Sequence, residues 1–344
     1  MKIFTLKPRE NWCVDRLVEE WTSGNTDICT DDLRQADVVW LCADWAFDQI
    51  PIELFEHKKV VTTIHHITSP EFFKAPAGWQ NVKEKFFGTI EEHRFKIRDA
   101  LTHVYHVPCS KTKEQVEYIR NKLGLKHPKP VEVIPFWVND KLWRNLNNTQ
   151  AFRFKWGLNS TAQFCLIGSF QRDSEGADLS PKLEKGADIF CDVLEMLNQR
   201  PDGLKPFAVL TGWRRDYIER RLTSAKIGFK HPTKRGQPND LISFEDVNEL
   251  YNCLDFYFVS SRIEGGPLAI SECAAAQVPI ISHDVGMAKD ILHPDVVFSG
   301  GQIPDNIVER AMSQDVIDYN YKKISPHMIS NGGFKPFRSL FETL

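Results

Sequence analysis

Two carboxylates stand eight positions apart in Glu264-Gly265-Gly266-Pro267-Leu268-Ala269-Ile270-Ser271-Glu272. An apolar run, Asp255–Val259, precedes this stretch and another, Val278–Ser282, comes after it. The pattern therefore reads as strand, glycine turn, Ala-rich helix and strand. Pro267 suits the first helical position, where its missing N–H costs nothing. The unpaired N–H groups of such a helix start, together with the helix dipole, make a ready anion site. Glu264 sits before that site and Glu272 one to two turns into the helix. A ligand with a diphosphate in its middle and hydroxyl groups at both ends meets these demands, as a nucleoside diphosphate-sugar does.

The segment resembles the E-x7-E signature of retaining glycosyltransferases of family 4, in its E-G-G-P-L form. By position, the resemblance implies that Glu264 contacts the donor sugar and Glu272 the ribose. Gly265, Gly266, Pro267 and Leu268 would hold the diphosphate. Family members carry a G-R at an earlier strand end and a K-G at the head of the next helix, whose cations meet the charge of the departing diphosphate. Here Lys185-Gly186 fits the second pattern, while Gly168-Ser169 stands at the first. Arg172, three residues on, is the candidate to replace the missing arginine. Charge that builds on a leaving oxygen requires such preorganised positive groups. Thr211-Gly212-Trp213-Arg214 occupies the place of a glycine-rich turn near the nucleotide, so Arg214 is a phosphate or base contact, or else a solvated residue of the Arg214-Arg215-Asp216 turn. Leu241–Val247 corresponds to the segment lining the base pocket.

In the first half, Val60–Ile64 runs into His65-His66. The family commonly ends this strand in a histidine that faces the donor sugar, and His65 aligns best. The family's glycine-rich loop after the first strand is replaced by Pro8-Arg9-Glu10-Asn11-Trp12-Cys13, leaving Arg9 and Asn11 as side-chain stand-ins. Pro135-Phe136-Trp137-Val138-Asn139 likewise replaces a P-N-G-V-D run. The loop 69–79, rich in aromatic residues, reads as an acceptor cover or as surface packing.

These residues need strands to present them, and apolar β-branched runs recur along the chain. They fall at Ile3–Leu6, Asp37–Cys42, Lys59–Ile64, Thr102–Val107 and Val131–Ile134, then at Gln163–Gly168, Pro206–Thr211, Leu241–Phe244, Asp255–Val259 and Val278–Ser282. Helical stretches between them include Val82–Ala100, Lys111–Leu123, Lys185–Asn198, Asp216–Ala225, Val247–Cys253 and Pro267–Gln277. Alternation of this kind predicts an α/β chain with parallel sheets covered on both faces. With the resemblance it implies GT-B, two doubly wound Rossmann-like domains facing a central cleft. The expected division is an acceptor-binding domain over 1–145 and a nucleotide-sugar domain over 146–310. C-terminal helices over 311–344 are expected to cross back onto the first domain.

Composition limits the alternatives. With 344 residues, 42% hydrophobic and 26% charged, the chain is long enough for two cores. A net charge of −3 does not favour nucleic acid. Eight cysteines without a C-x-x-C pair read as buried free thiols, and the N-terminus lacks a leader pattern, so a cytoplasmic location is expected. Lys83–Arg98 reads as a helix with one core face and one charged face; a peripheral membrane contact is the alternative. There is no G-x-G for a dehydrogenase and no G-K-[S/T] for a P-loop enzyme. There is also no D-x-D, so the resemblance implies an enzyme without cofactor or metal, neutralising its leaving group with fixed cations. The expected partners are a nucleotide-sugar donor and a glycan or lipid-linked acceptor. The rival reading is a non-catalytic GT-B protein that binds a sugar nucleotide or glycan.

Overall fold

Each half of the chain builds a parallel sheet, because its central strands are apolar on both faces and joined by helical crossovers. The computed structural model describes residues 1–10, 12–69, 72, 91–161, 163–175, 179–201, 203–232, 242–300 and 303–344. It divides into two units: residues 1–137, 264–266 and 332–344 in the first, and 138–263 and 267–331 in the second. The chain thus changes unit at Trp137/Val138, eight residues before the position expected from the sequence. Of the C-terminal segment expected to return, the part from Gly332 onward belongs to the first unit and 311–331 to the second.

In the first unit the strands are β1 (Ile3–Thr5), β2 (Val38–Leu41), β3 (Lys59–Thr63), β4 (Val104–Val107) and β5 (Val131–Val133). They lie side by side in chain order, all parallel, with Val39 opposite Val60 and Val61 opposite Val104. All four residues of β2 are buried, as a strand covered on both faces must be. One face packs Ile64, Ile67, Phe95, Tyr105, Val107, Val116 and Ile119. The other carries an aromatic cluster completed by the helix Lys335–Glu342. There Phe337 and Phe341 lie 5.5 and 5.3 Å from Trp40, and Phe334 lies 4.8 Å from Trp137. Beneath this cluster runs a directed chain of hydrogen bonds. Trp40 Nε1 donates to Thr63 Oγ1 (2.8 Å), and Thr63 Oγ1 lies 2.9 Å from His106 Nδ1. His106 Nε2 in turn meets the Ile134 carbonyl at 2.7 Å. A carbonyl only accepts, so Nε2 carries the proton and Nδ1 receives that of Thr63.

The second unit contains β6 (Cys165–Ser169), the short hairpin β7 (Ser174–Glu175) and β8 (Ser180–Pro181), β9 (Pro206–Leu210), β10 (Gly228–Lys230), β11 (Phe256–Val259), β12 (Ile280–His283) and β13 (Val297–Phe298). Its parallel sheet has the order β10-β9-β6-β11-β12-β13. The strand order therefore reverses between β6 and β11, where open α/β sheets bind ligands at their C-terminal ends.

A strand expected at 241–244 is absent from the described part. Leu241 lies outside the described residues, and Ser243 instead caps a helix over Phe244–Tyr251, its hydroxyl accepting from Asp246 N at 3.0 Å. Most of the 69–79 loop and residues 82–90 of the expected basic helix also lie outside the described residues. The remainder of that helix, Glu92–Leu101, buries Phe95, Arg98 and Asp99, and Arg98 pairs with Asp44 at 3.1 Å. The eight cysteines are free thiols; five are buried, Cys29 and Cys165 are half-buried and Cys13 is exposed. Among the described residues no helix is long and apolar enough to cross a membrane.

Candidate functional site

At the C-terminal end of β6 the chain turns through Ser169-Phe170-Gln171-Arg172, and a web of polar contacts ties this turn to the head of the next helix. The 3-10 turn Leu183–Lys185 ends at Gly186, whose φ of 63° is the left-handed conformation glycine adopts freely. A Cβ there would sit 1.9 Å from the Ser260 carbonyl oxygen, so only glycine fits. This turn delays the helix, which runs Ala187–Asn198 rather than from Lys185. The Lys185 carbonyl accepts from Gln171 Nε2 (2.8 Å) and Ser260 Oγ (3.1 Å), and Gln171 Oε1 accepts from Ser261 Oγ (3.3 Å). Arg262 grips Asp188 through two bonds of 2.6 and 2.5 Å and donates to the Leu183 carbonyl. The half-buried Lys185 is thereby held from the ends of both β6 and β11.

Past β11, Pro267 is the N-cap, not the first helical residue, and the helix runs Leu268–Ala275. Glu272 is 7% exposed, and its Oε2 accepts from Tyr251 Oη at 2.9 Å. Burial, reinforced by the charge of Glu272, pushes the Tyr251 phenol well up, so it remains a donor. Tyr251 stacks on Phe170 at 5.0 Å, and Tyr257 Oη accepts from Phe170 N at 3.0 Å. Glu272 and the β6 loop thus share one aromatic support. Gly168 lies within β6, where a Cβ would come 2.2 Å from Leu254 Cδ1.

Ser169 is fully buried, and it serves Arg215. The Arg215 guanidinium donates to the Ser169 carbonyl (2.8 Å), Ser169 Oγ (3.1 Å), the Thr211 carbonyl (2.9 Å) and Asp173 Oδ2 (2.7 Å). Burial pushes the Asp173 carboxyl up, against the pull of Arg215. Arg215 is 2% exposed, so the Arg214-Arg215-Asp216 turn buries its middle side chain. Its neighbour Arg214 lies over the Trp213 ring, 4.6 Å from the centroid, and Arg172 lies 5.7 Å from the same centroid. Trp213, Arg214, Arg215, Asp216, Glu219 and His231 line a cavity of about 300 Å³. His231 contacts Glu219 Oε1 at 2.8 Å and the Gly212 carbonyl at 3.0 Å, bracing the turn from the other side.

In the first unit, His65 Nε2 lies 2.8 Å from the Cys42 carbonyl, and its ring stacks on Phe136 at 5.5 Å. The carbonyl fixes the proton on Nε2, and burial pushes the imidazole pKa below its usual value against that bond, Asp44 and Glu264. His65 is therefore neutral, with Nδ1 an acceptor. His66 beside it is half-buried. Glu264, Gly265 and Gly266 belong to this unit, and a Cβ on Gly265 would sit 1.5 Å from the His65 carbonyl oxygen. After β1, the N–H groups of Arg9 (2.8 Å), Glu10 (2.7 Å) and Trp12 (3.3 Å) all donate to the buried Asp15 carboxylate. The turn where the family places its glycine-rich loop is closed on an internal anion. Asn11 lies outside the described residues. Among the described residues no cluster of three or more His, Cys, Asp or Glu is arranged to hold a metal ion.

The profile of the family described as glycosyl transferases group 1 matches residues 177–313. Among solved structures, Anabaena Alr3699/HepE in complex with UDP-glucose is similar over 94% of each chain, with a TM-score of 0.64 and 15% identity. Sucrose-phosphate synthase from Thermosynechococcus elongatus is similar over 98% of this chain and 81% of its own, with a TM-score of 0.63 and 16% identity. The fold of the chain is the fold of these proteins, GT-B. Comparison with curated proteins by sequence finds no match.

Proposed function

We propose that the chain is a retaining glycosyltransferase that moves a sugar from a nucleoside diphosphate donor to a hydroxyl of a glycan or lipid-linked acceptor. The observation that carries this reading is the construction around Lys185. Its backbone is fixed at the switch point of the second sheet, in the same unit as a buried Glu272 braced by Tyr251. The match to group 1 glycosyltransferases over 177–313 includes both residues.

In the proposed reaction the bond between the anomeric carbon and the diphosphate oxygen breaks, and the acceptor oxygen bonds to the same face of that carbon. The acceptor proton passes to the leaving diphosphate, so no protein carboxylate need act as nucleophile. Lys185, with Arg172 and Arg214, meets the charge of the departing group, and the N-terminus of the Leu268–Ala275 helix adds its N–H groups. Glu272 binds the ribose and Glu264 orients the sugar. His65, neutral, offers Nδ1 as an acceptor for a sugar hydroxyl instead of delivering a proton. These fixed cations serve in place of a divalent ion.

A non-catalytic sugar-nucleotide or glycan-binding protein is the second reading. It is favoured by Ser169 at the place of the family's arginine and by the β1 turn closed on Asp15. Thermal stabilisation by UDP, GDP, ADP and dTDP, with EDTA present, tests donor binding, because a ligand of the native state raises stability by mass action. We expect one diphosphate to stabilise the wild type and to lose most of that effect in Lys185→Ala. Release of free nucleotide from the matching nucleotide-sugar then separates enzyme from binder. Lys185→Ala stabilised as strongly as the wild type would remove Lys185 from the site.

A further inference from the structure

Successive residues of one turn send their side chains in opposite directions: Arg215 into the core and Arg214 onto Trp213. Arg214 adopts φ 56°, a left-handed conformation unfavourable for a non-glycine residue. The conformation is held because the Arg214 carbonyl accepts from both Asp173 N (3.2 Å) and Ser174 N (3.1 Å). Asp173 at the same time takes the buried guanidinium of Arg215. The loop after β6 and the turn after β9 are therefore one locked assembly, and Arg172 belongs to the first and Arg214 to the second. Both guanidiniums end within 6 Å of one indole ring, where like charges repel. Among the described carboxylates nearby, Asp173 is committed to Arg215 and Glu219 to His231, and Asp216 stands at the cavity wall. Among the described residues Arg172 pairs with no carboxylate, and its guanidinium lies over Trp213.

We infer that the buried Asp173–Arg215 pair is a positioning element that sets Arg172 and Arg214 on Trp213 as a two-arginine clamp for a diphosphate. It does by assembly what an arginine at position 169 would do directly. Arg215 itself touches no ligand: four acceptors and complete burial occupy it. The ligand class rests on the proposed donor, and the clamp is the part specific to this chain.

Binding of inorganic pyrophosphate to the full chain, measured by calorimetry at low salt, tests the inference. The wild type should bind, Arg172→Ala should bind roughly tenfold more weakly, and Arg215→Lys should lose about as much while still melting cooperatively. If Arg215 acts through Arg172, the double variant is no weaker than the poorer single variant; a purely structural effect would multiply with the loss at Arg172. Should Arg215→Lys fail to fold, Ser169→Ala removes one of the four bonds and is expected to weaken binding about threefold. Wild-type affinity in Arg215→Lys or Ser169→Ala, multiplicative losses, or a wild type that ignores pyrophosphate each overturns the inference. Turnover of a nucleotide-sugar without pyrophosphate binding leaves the transferase reading intact and removes the clamp. Pyrophosphate binding with the expected coupling but no turnover does the reverse.

Discussion

Acidification should unload the first unit through one buried ring. His106 is 0% exposed, and its two nitrogens are committed in a fixed sense, Nε2 donating to Ile134 and Nδ1 accepting from Thr63. Protonating Nδ1 would set two donors against each other where water cannot help. Burial, with the nearby His65 a smaller contribution, accordingly pushes its pKa down to about 3, against the bond to Ile134. In the unfolded chain the same ring titrates near 6.5. Between those values the unfolded state holds one more proton, so stability is complete above pH 6.5 and drains as the pH falls toward 3. At about 1.4 kcal/mol per pH unit, roughly 3 kcal/mol is lost between pH 6.5 and 4. Urea unfolding from pH 7.5 to 4, for wild type and His106→Gln, isolates this contribution, since the depressed His65, His103 and His327 are common to both. The variant should start about 1–3 kcal/mol less stable, having left a buried partner unpaired, and the two curves should converge as the pH falls. Parallel curves would refute the argument that His106 is held neutral.

Gly265→Ala places a Cβ on the His65 carbonyl, so we expect a loss of about 1–3 kcal/mol in thermal unfolding and a fall in transfer rate of roughly a hundredfold. Unchanged melting and turnover would show that the approach is not tight in solution. Tyr251→Phe leaves the buried Glu272 without its phenol donor, and KM for the donor should rise about tenfold with kcat little changed; an unaltered KM would take Glu272 out of donor binding. Transfer should persist in EDTA because side-chain cations stand ready in the second unit; loss in chelator, restored by magnesium or manganese, would sink that reading.

How far the fold can be seen in the sequence depends on the physics of parallel strands. Nine strands are visible as apolar runs; the residues of β2 and β11 are buried throughout, while β5 is legible although its Glu132 and Val133 are exposed. Gly228–Lys230 and Val297–Phe298 are too short for any pattern, each an edge strand that pairs on one side. At 241–244 the apolar run misleads, because Ser243 followed by Glu245 and Asp246 is a helix start, and capping prevails over β propensity. The glycine turn between Glu264 and Glu272 is legible because a local motif encodes it. Arg215 is not, because its meaning depends on Asp173, 42 positions away, and on a depth of burial that no local pattern reports. Nor does the sequence announce that Asp15 fills the β1 turn. Three backbone N–H groups must converge before a carboxylate becomes their ligand.

The helix Lys335–Glu342 gives the first unit a particular order of assembly. Arg338 bonds Asn25 across 313 positions of sequence, and Phe337 and Phe341 fill the space between Trp21 and Trp40. During synthesis the five strands of this unit emerge first, yet their tryptophans stay uncovered until the second unit has been made. Loop closure on this scale slows folding and leaves apolar surface open to aggregation in the interval. A chaperone that shields Trp21, Trp40 and Trp137 during elongation would therefore raise the yield of folded protein. Expressed alone, residues 1–137 should collect in aggregates, and supplying 332–344 as a peptide should rescue part of them.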